Sequence, residues 1–146
     1  MKRPLLPVLL SLLLCSALAH GAPFYEGKSL AHPAISASQD SGFDIAFLKE
    51  KEGVNGYYCE CKGSNSKPIL LDQFGNAVIR SVFYASLDKE SDTSVQTMLV
   101  LFRQGDRNGL RAYRYHRSSG KYRRLDGLQP ALKRIVAQAG SPNAGQ

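Results

Sequence analysis

The chain has 146 residues, a net charge of +7 from 19 Lys and Arg against 12 Asp and Glu, three cysteines and no tryptophan. That length holds one domain with its own core and is short for two, and so few cysteines exclude a disulfide-built scaffold, leaving hydrophobic packing to hold the fold. The charge is lopsided: residues 20–102 carry seven basic against ten acidic side chains and residues 103–146 carry ten against two, which points to an acidic partner facing the C-terminal third or to a solvated basic face.

The first residues are Met1-Lys2-Arg3, followed by an apolar run from Leu5 to Leu14 and by Ala17-Leu18-Ala19. A basic start, a short apolar stretch and a small-x-small cleavage pattern predict a secretory signal peptide over 1–19, with cuts after Gly21 or Ala22 nearly as good. A bacterial periplasm or the medium is the expected destination. The run is much shorter than the roughly 20 residues of a membrane-spanning helix, and no later segment approaches that length, so no transmembrane segment is expected in the mature chain. Leu14 stands where lipidation at Cys15 would need a small residue, so Cys15 is expected to leave with the signal.

Residues 20–42 hold Gly21, Gly27, Pro33 and Gly42 with little periodicity and read as an extended arm. "FDIAFL" (43–48) reads as a strand, "KEKEGVNG" (49–56) as a turn, Tyr57 to Lys62 as a second strand and "GSNSKP" (63–68) as a loop. "PILL" leads into "DQFGN", another turn. From Ala77 to Leu87 a period of two places Ala77, Ile79, Phe83, Ala85 and Leu87 on one face, with Ser81 as the exception. "TMLVLFR" (97–103) is continuously apolar, as a strand covered on both faces is; "QGDRNG" reads as a turn on its Asn108-Gly109 dipeptide; "LRAYRYHR" and "KYRRL" complete a meander over 97–124. Leu128, Ala131, Leu132, Ile135, Val136 and Ala139 then fit one helical stripe, with Asp126 near the N-cap, Pro130 in the first turn and Gly140 as a stop. The predicted architecture is α+β: an antiparallel sheet of about six strands with one C-terminal helix packed on it. The domain runs over 43–140, and 141–146 form a disordered tail.

Chemistry has few places to reside. On a regular strand Cys59 and Cys61 share a face about 6.6 Å apart, at a rise of about 3.3 Å per residue, whereas a disulfide wants its Cβ atoms about 3.5 to 4.5 Å apart. Either the backbone bends to close a small ring, or the two thiols stay in the core, pair with another molecule or bind a soft metal. His20, His32 and His116 have no ligand-like spacing to Cys59, and the separation of the cysteines is shorter than the Cys-x-x-Cys of redox catalysts. Asp88, Glu90 and Asp92 alternate like the first ligands of a calcium loop, but no Gly follows and Leu99 stands where the closing acid belongs, so a solvated acidic turn is the reading preferred. No nucleophile elbow or histidine-containing triad spacing is present. The chain is therefore read as non-catalytic, and no cofactor is expected.

The basic third supplies Arg103, Arg107, Arg111, Arg114 and Arg117 interleaved with Tyr113 and Tyr115. Alternation predicts Arg111, Tyr113, Tyr115 and Arg117 on one strand face. Arg and Tyr are residue types that anchor interfaces, so this face is expected to dock an acidic protein, with anionic lipid or glycan as other candidates; nucleic acid is not expected outside the cell. The functional expectation is a secreted or periplasmic binding protein, such as an inhibitor or immunity protein that neutralises a periplasm-acting enzyme. The alternative is a metal-binding or thiol-redox accessory protein centred on Cys59 and Cys61.

Overall fold

A computed structural model of the chain describes residues 22–37, 43–60, 67–86 and 96–139. The predicted signal, the acidic stretch with Asp88, Glu90 and Asp92, Cys61 and the predicted tail lie outside these residues. The strands are β1 (Leu30–Ala37), β2 (Phe43–Glu50), β3 (Gly53–Cys59), β4 (Ile69–Gly75), β5 (Val78–Ala85), β6 (Thr97–Gln104), β7 (Arg107–His116) and β8 (Lys121–Arg124). A 3-10 turn at Asp126–Leu128 leads into the helix α1 (Gln129–Ala139). The α+β class holds, but among the described residues the strands number eight and form two antiparallel four-stranded sheets in the orders β1-β2-β3-β4 and β5-β6-β7-β8, where one sheet of about six was expected.

The second sheet explains the burial pattern of the chain. One core is built from Phe43, Ile45, Phe47, Val54, Tyr58 and Phe74 of the first sheet facing Ile79, Met98, Val100 and Tyr113 of the second. On the far side of the second sheet, Leu99, Ala112 and Leu132 form a smaller core with Leu110, Leu125 and Leu128 packed around it. The layers therefore run sheet, sheet, helix. Because β6 is covered on both faces, Thr97, Met98, Leu99 and Val100 are all buried, as the unbroken apolar run predicts. Thr97, the buried polar residue of this run, receives a hydrogen bond from Arg114 Nη2 at 3.3 Å. Each fully buried large side chain contributes about 1.5–3 kcal/mol of transfer free energy, so the inter-sheet layer carries most of the stability.

Several local expectations are corrected by this arrangement. The arm contains an edge strand: β1 pairs with β2 through a register that slips between Leu30 and His32 and again between His32 and Ile35, which accommodates Pro33 and hides the alternation. The turn after β2 is confined to Lys51 and Glu52, because Gly53 at φ 125° passes against the backbone of Gly75 and a Cβ there would lie 2.8 Å from Gly75 Cα. "DQFG" continues β4, with Gly75 at φ 56° starting the turn. In β5 a register shift between Ile79 and Ser81 moves the inward face onto Ile79, Val82 and Tyr84 and leaves Phe83 exposed, so Ser81 marked a bulge. The β6/β7 hairpin turns at Gly105 and Asp106, with Gln104 opposite Arg107 and Gly105 at φ 58°. Asn108 and Gly109 belong to β7. Gly109 is needed there by packing: a Cβ on it would come within 2.7 Å of Phe102 Cε2. The helix uses only part of its stripe; Leu132 is buried and Leu128 and Val136 half-buried, while Ala131 and Ile135 face outward. Asp126 pairs with Arg124 Nε at 2.6 Å.

Candidate partner-binding surface

The seven residues expected at the interface separate into an inward set and an outward set. Tyr113 is 0% exposed, and Tyr115 lies half-buried in an aromatic cluster, its ring 4.6 Å from that of Phe43 and 5.3 Å from that of Tyr122. Arg111 packs against the Phe74 and Phe102 rings, its guanidinium carbon 4.7 and 5.1 Å from their centroids. The strand alternation that grouped Arg111, Tyr113 and Tyr115 is real, but the face they share looks onto the first sheet. A single sheet would leave that face in water; here the first sheet covers it.

Arg111 and Tyr113 of the inward set converge on Asp72 of β4. Its Oδ2 accepts a hydrogen bond from Tyr113 Oη at 2.6 Å and pairs with Arg111 Nη1 at 3.0 Å and Arg124 Nη1 at 3.2 Å. Its Oδ1 accepts from the Gln73 N–H at 2.8 Å, and Arg111 Nη1 also donates to the Gln73 carbonyl at 2.8 Å. Burial works against the Asp72 charge, but the Tyr113 hydroxyl, the Gln73 N–H and the two guanidiniums outweigh it and hold the carboxyl below its ordinary pKa. The Tyr113 hydroxyl is pushed far up, first by burial and then by its bond to the carboxylate. This network clamps the two sheets together and leaves Arg111 and Tyr113 committed to the interior.

Arg103, Arg107 and Arg117 are exposed, and Arg114 is half-buried beside Thr97. They do not form one patch. Arg103 and Arg107 sit at the tip of the β6/β7 hairpin, while Arg117 follows the opposite end of β7, about 30 Å away at the usual rise of a strand.

Beside the hairpin tip lies an open groove of about 580 Å³, walled by Arg107, Asn108, Gly109, Leu110 and Arg111 of β7 on one side and by Gln129, Lys133, Val136 and Ala137 of α1 on the other, with Phe102 and Asp106 completing the lining. The groove exists because β8 pairs with β7 only over Tyr113 to His116. One further bond, from the Leu125 N–H to the Ala112 carbonyl at 2.9 Å, continues the ladder before the chain turns away into α1. Lys133 and Gln129, one helical turn apart, were missed in the sequence because they lie on the polar side of the apolar stripe. Arg107 and Lys133 form no ion pair with any described residue, and the Nε2 of Gln129 is buried with no hydrogen-bond partner among the described residues.

Cys59 is 1% exposed, is the last residue of β3, and its sulfur is not free. The strand on which the two cysteines would sit too far apart ends there. Among the described residues no group of three or more His, Cys, Asp and Glu side chains comes together to hold a metal ion, and no helix is long and apolar enough to cross a membrane. No protein-family model, no curated protein and no solved structure matches this chain.

Proposed function

We propose that the protein is an exported, non-catalytic binding protein whose basic β6/β7 hairpin docks an acidic protein partner. The observation that carries this reading is the pairing of exposed, unneutralised cations with an open groove: Arg107 and Lys133 line a concave surface whose one acidic lining residue among the described residues is Asp106, and the exposed Arg103 lies on β6 opposite Asn108 of its wall. Charges placed this way speed encounter with an acidic surface and select against basic ones. The sequence over 1–19 supports export to the periplasm or medium. A small exported binder of this kind suits the neutralisation of an enzyme that acts in the same space, as an inhibitor or immunity protein. Disulfide bonding of Cys59 to Cys61 belongs to the same proposal and is supported by the ending of β3 at Cys59. Thiol titration of protein purified without reductant is expected to find neither sulfur reactive.

The test is capture of partners from a periplasmic extract by the tagged chain and by its Arg103→Glu/Arg107→Glu variant. Acidic proteins retained by the parent are expected to be lost from the variant. Recovery of the same proteins at equal yield from both removes the hairpin from the interface.

A further inference from the structure

The groove beside β7 is built from a strand edge. In an antiparallel strand the N–H and C=O of alternate residues point to the same neighbour. Ala112 directs its carbonyl outward, where it accepts from Leu125. Counting back by twos, Leu110 and Asn108 aim their N–H and C=O groups the same way, into the groove, at positions that β8 does not reach. Among the described residues no strand pairs with this stretch of β7 on the side away from β6. Exposed edges of this kind are sites where an extended chain adds as one more strand.

Two features say what chain would fit. Its surroundings are cationic, with Arg107 and Lys133 on opposite walls, and Gln129 Nε2 offers a buried donor that only an acceptor can satisfy. Between them the groove presents Leu110 and Val136, a floor for one or two apolar side chains. The volume of about 580 Å³ falls within the roughly 300–1,000 Å³ range of clefts that hold ligands.

We infer that this groove takes an extended acidic segment of a partner protein, which adds as a short strand antiparallel or parallel to β7 at Asn108 and Leu110, places its carboxylates between Arg107 and Lys133, and gives an acceptor to Gln129. This rests on the reading of the protein as a binder of acidic partners and names the way it binds them.

The probe is an acetylated and amidated hexapeptide alternating Glu and Val, titrated into the full chain by calorimetry and by amide chemical-shift mapping. Binding is expected with shifts at Asn108, Leu110 and the Gln129 side-chain amide, at least tenfold weaker to the Arg107→Glu/Lys133→Glu variant. The same peptide with Lys for Glu is expected not to bind. A version N-methylated at alternate residues keeps its charge and loses its ladder donors; it is expected to bind at least tenfold more weakly. No binding by the acidic peptide, or shifts elsewhere, overturns the inference. So does equal affinity of the N-methylated peptide, which would leave the binder reading intact and remove strand addition from it. A dimer of the free protein that Arg107→Glu dissociates would assign the edge to a second copy and also overturn it.

Discussion

Replacing Asp72 by Ala removes the acceptor on which the two sheets converge, and the cost follows from what is left behind. Tyr113, 0% exposed, keeps a hydroxyl whose partner stood 2.6 Å away. A buried donor without an acceptor costs about 1–3 kcal/mol. Arg111 retains the Gln73 carbonyl and its two rings, and Arg124 retains Asp126, so their losses are smaller. The expected destabilisation is about 2–3 kcal/mol, or roughly 10 °C in Tm for a domain of this size. Tyr113→Phe is milder, at about 1.5 kcal/mol, since the carboxylate keeps both guanidiniums and the Gln73 N–H. In the double variant no hydroxyl is orphaned, so its cost falls short of the sum of the two by about 1 kcal/mol. Urea unfolding at neutral pH with unchanged m values measures all three. An Asp72→Ala variant within about 0.5 kcal/mol of the parent, or strictly additive costs, refutes the clamp.

The remaining predictions concern pH, the helix and two glycines. Because the folded pKa of Asp72 lies below its ordinary value, the unfolded chain takes up the proton first. The stability this group contributes is complete above the ordinary carboxylate pKa of about 4 and is lost as pH falls through the lower folded value. Acid titration of stability is therefore expected to be steeper below about pH 4 in the parent than in Asp72→Asn. Leu132→Ala is expected to cost about 2 kcal/mol and to raise amide exchange across Gln129–Ala139, whereas Ile135→Ser, at a position 55% exposed, stays within about 0.5 kcal/mol. Gly109→Ala is expected to cost about 1–3 kcal/mol as the Phe102 ring is displaced. Gly53→Ala is expected to cost more, because its Cβ meets the Gly75 backbone at φ 125°, and chemical denaturation of the two variants ranks them.

What the sequence determined by itself is everything written in short-range pattern. The doubly covered strand "TMLVLFR", the three-strand meander after Thr97 and the helix that follows it were legible because hydrophobic periodicity acts within a few residues. The lopsided charge and the basic character of the hairpin were legible for the same reason. Pairing between distant segments was not. The division of the strands into two sheets decided that Arg111, Tyr113 and Tyr115 face inward, and only the approach of β4 to β7 turned Asp72, read as part of a turn, into the acceptor between them. Packing likewise put Asn108 and Gly109 inside a strand and moved the turn to Gly105, because the Phe102 ring needs the space above Gly109. The groove is a tertiary property in the same sense: it arises where β8 ends early and α1 crosses beside the uncovered edge of β7, and no spacing within the sequence records that meeting.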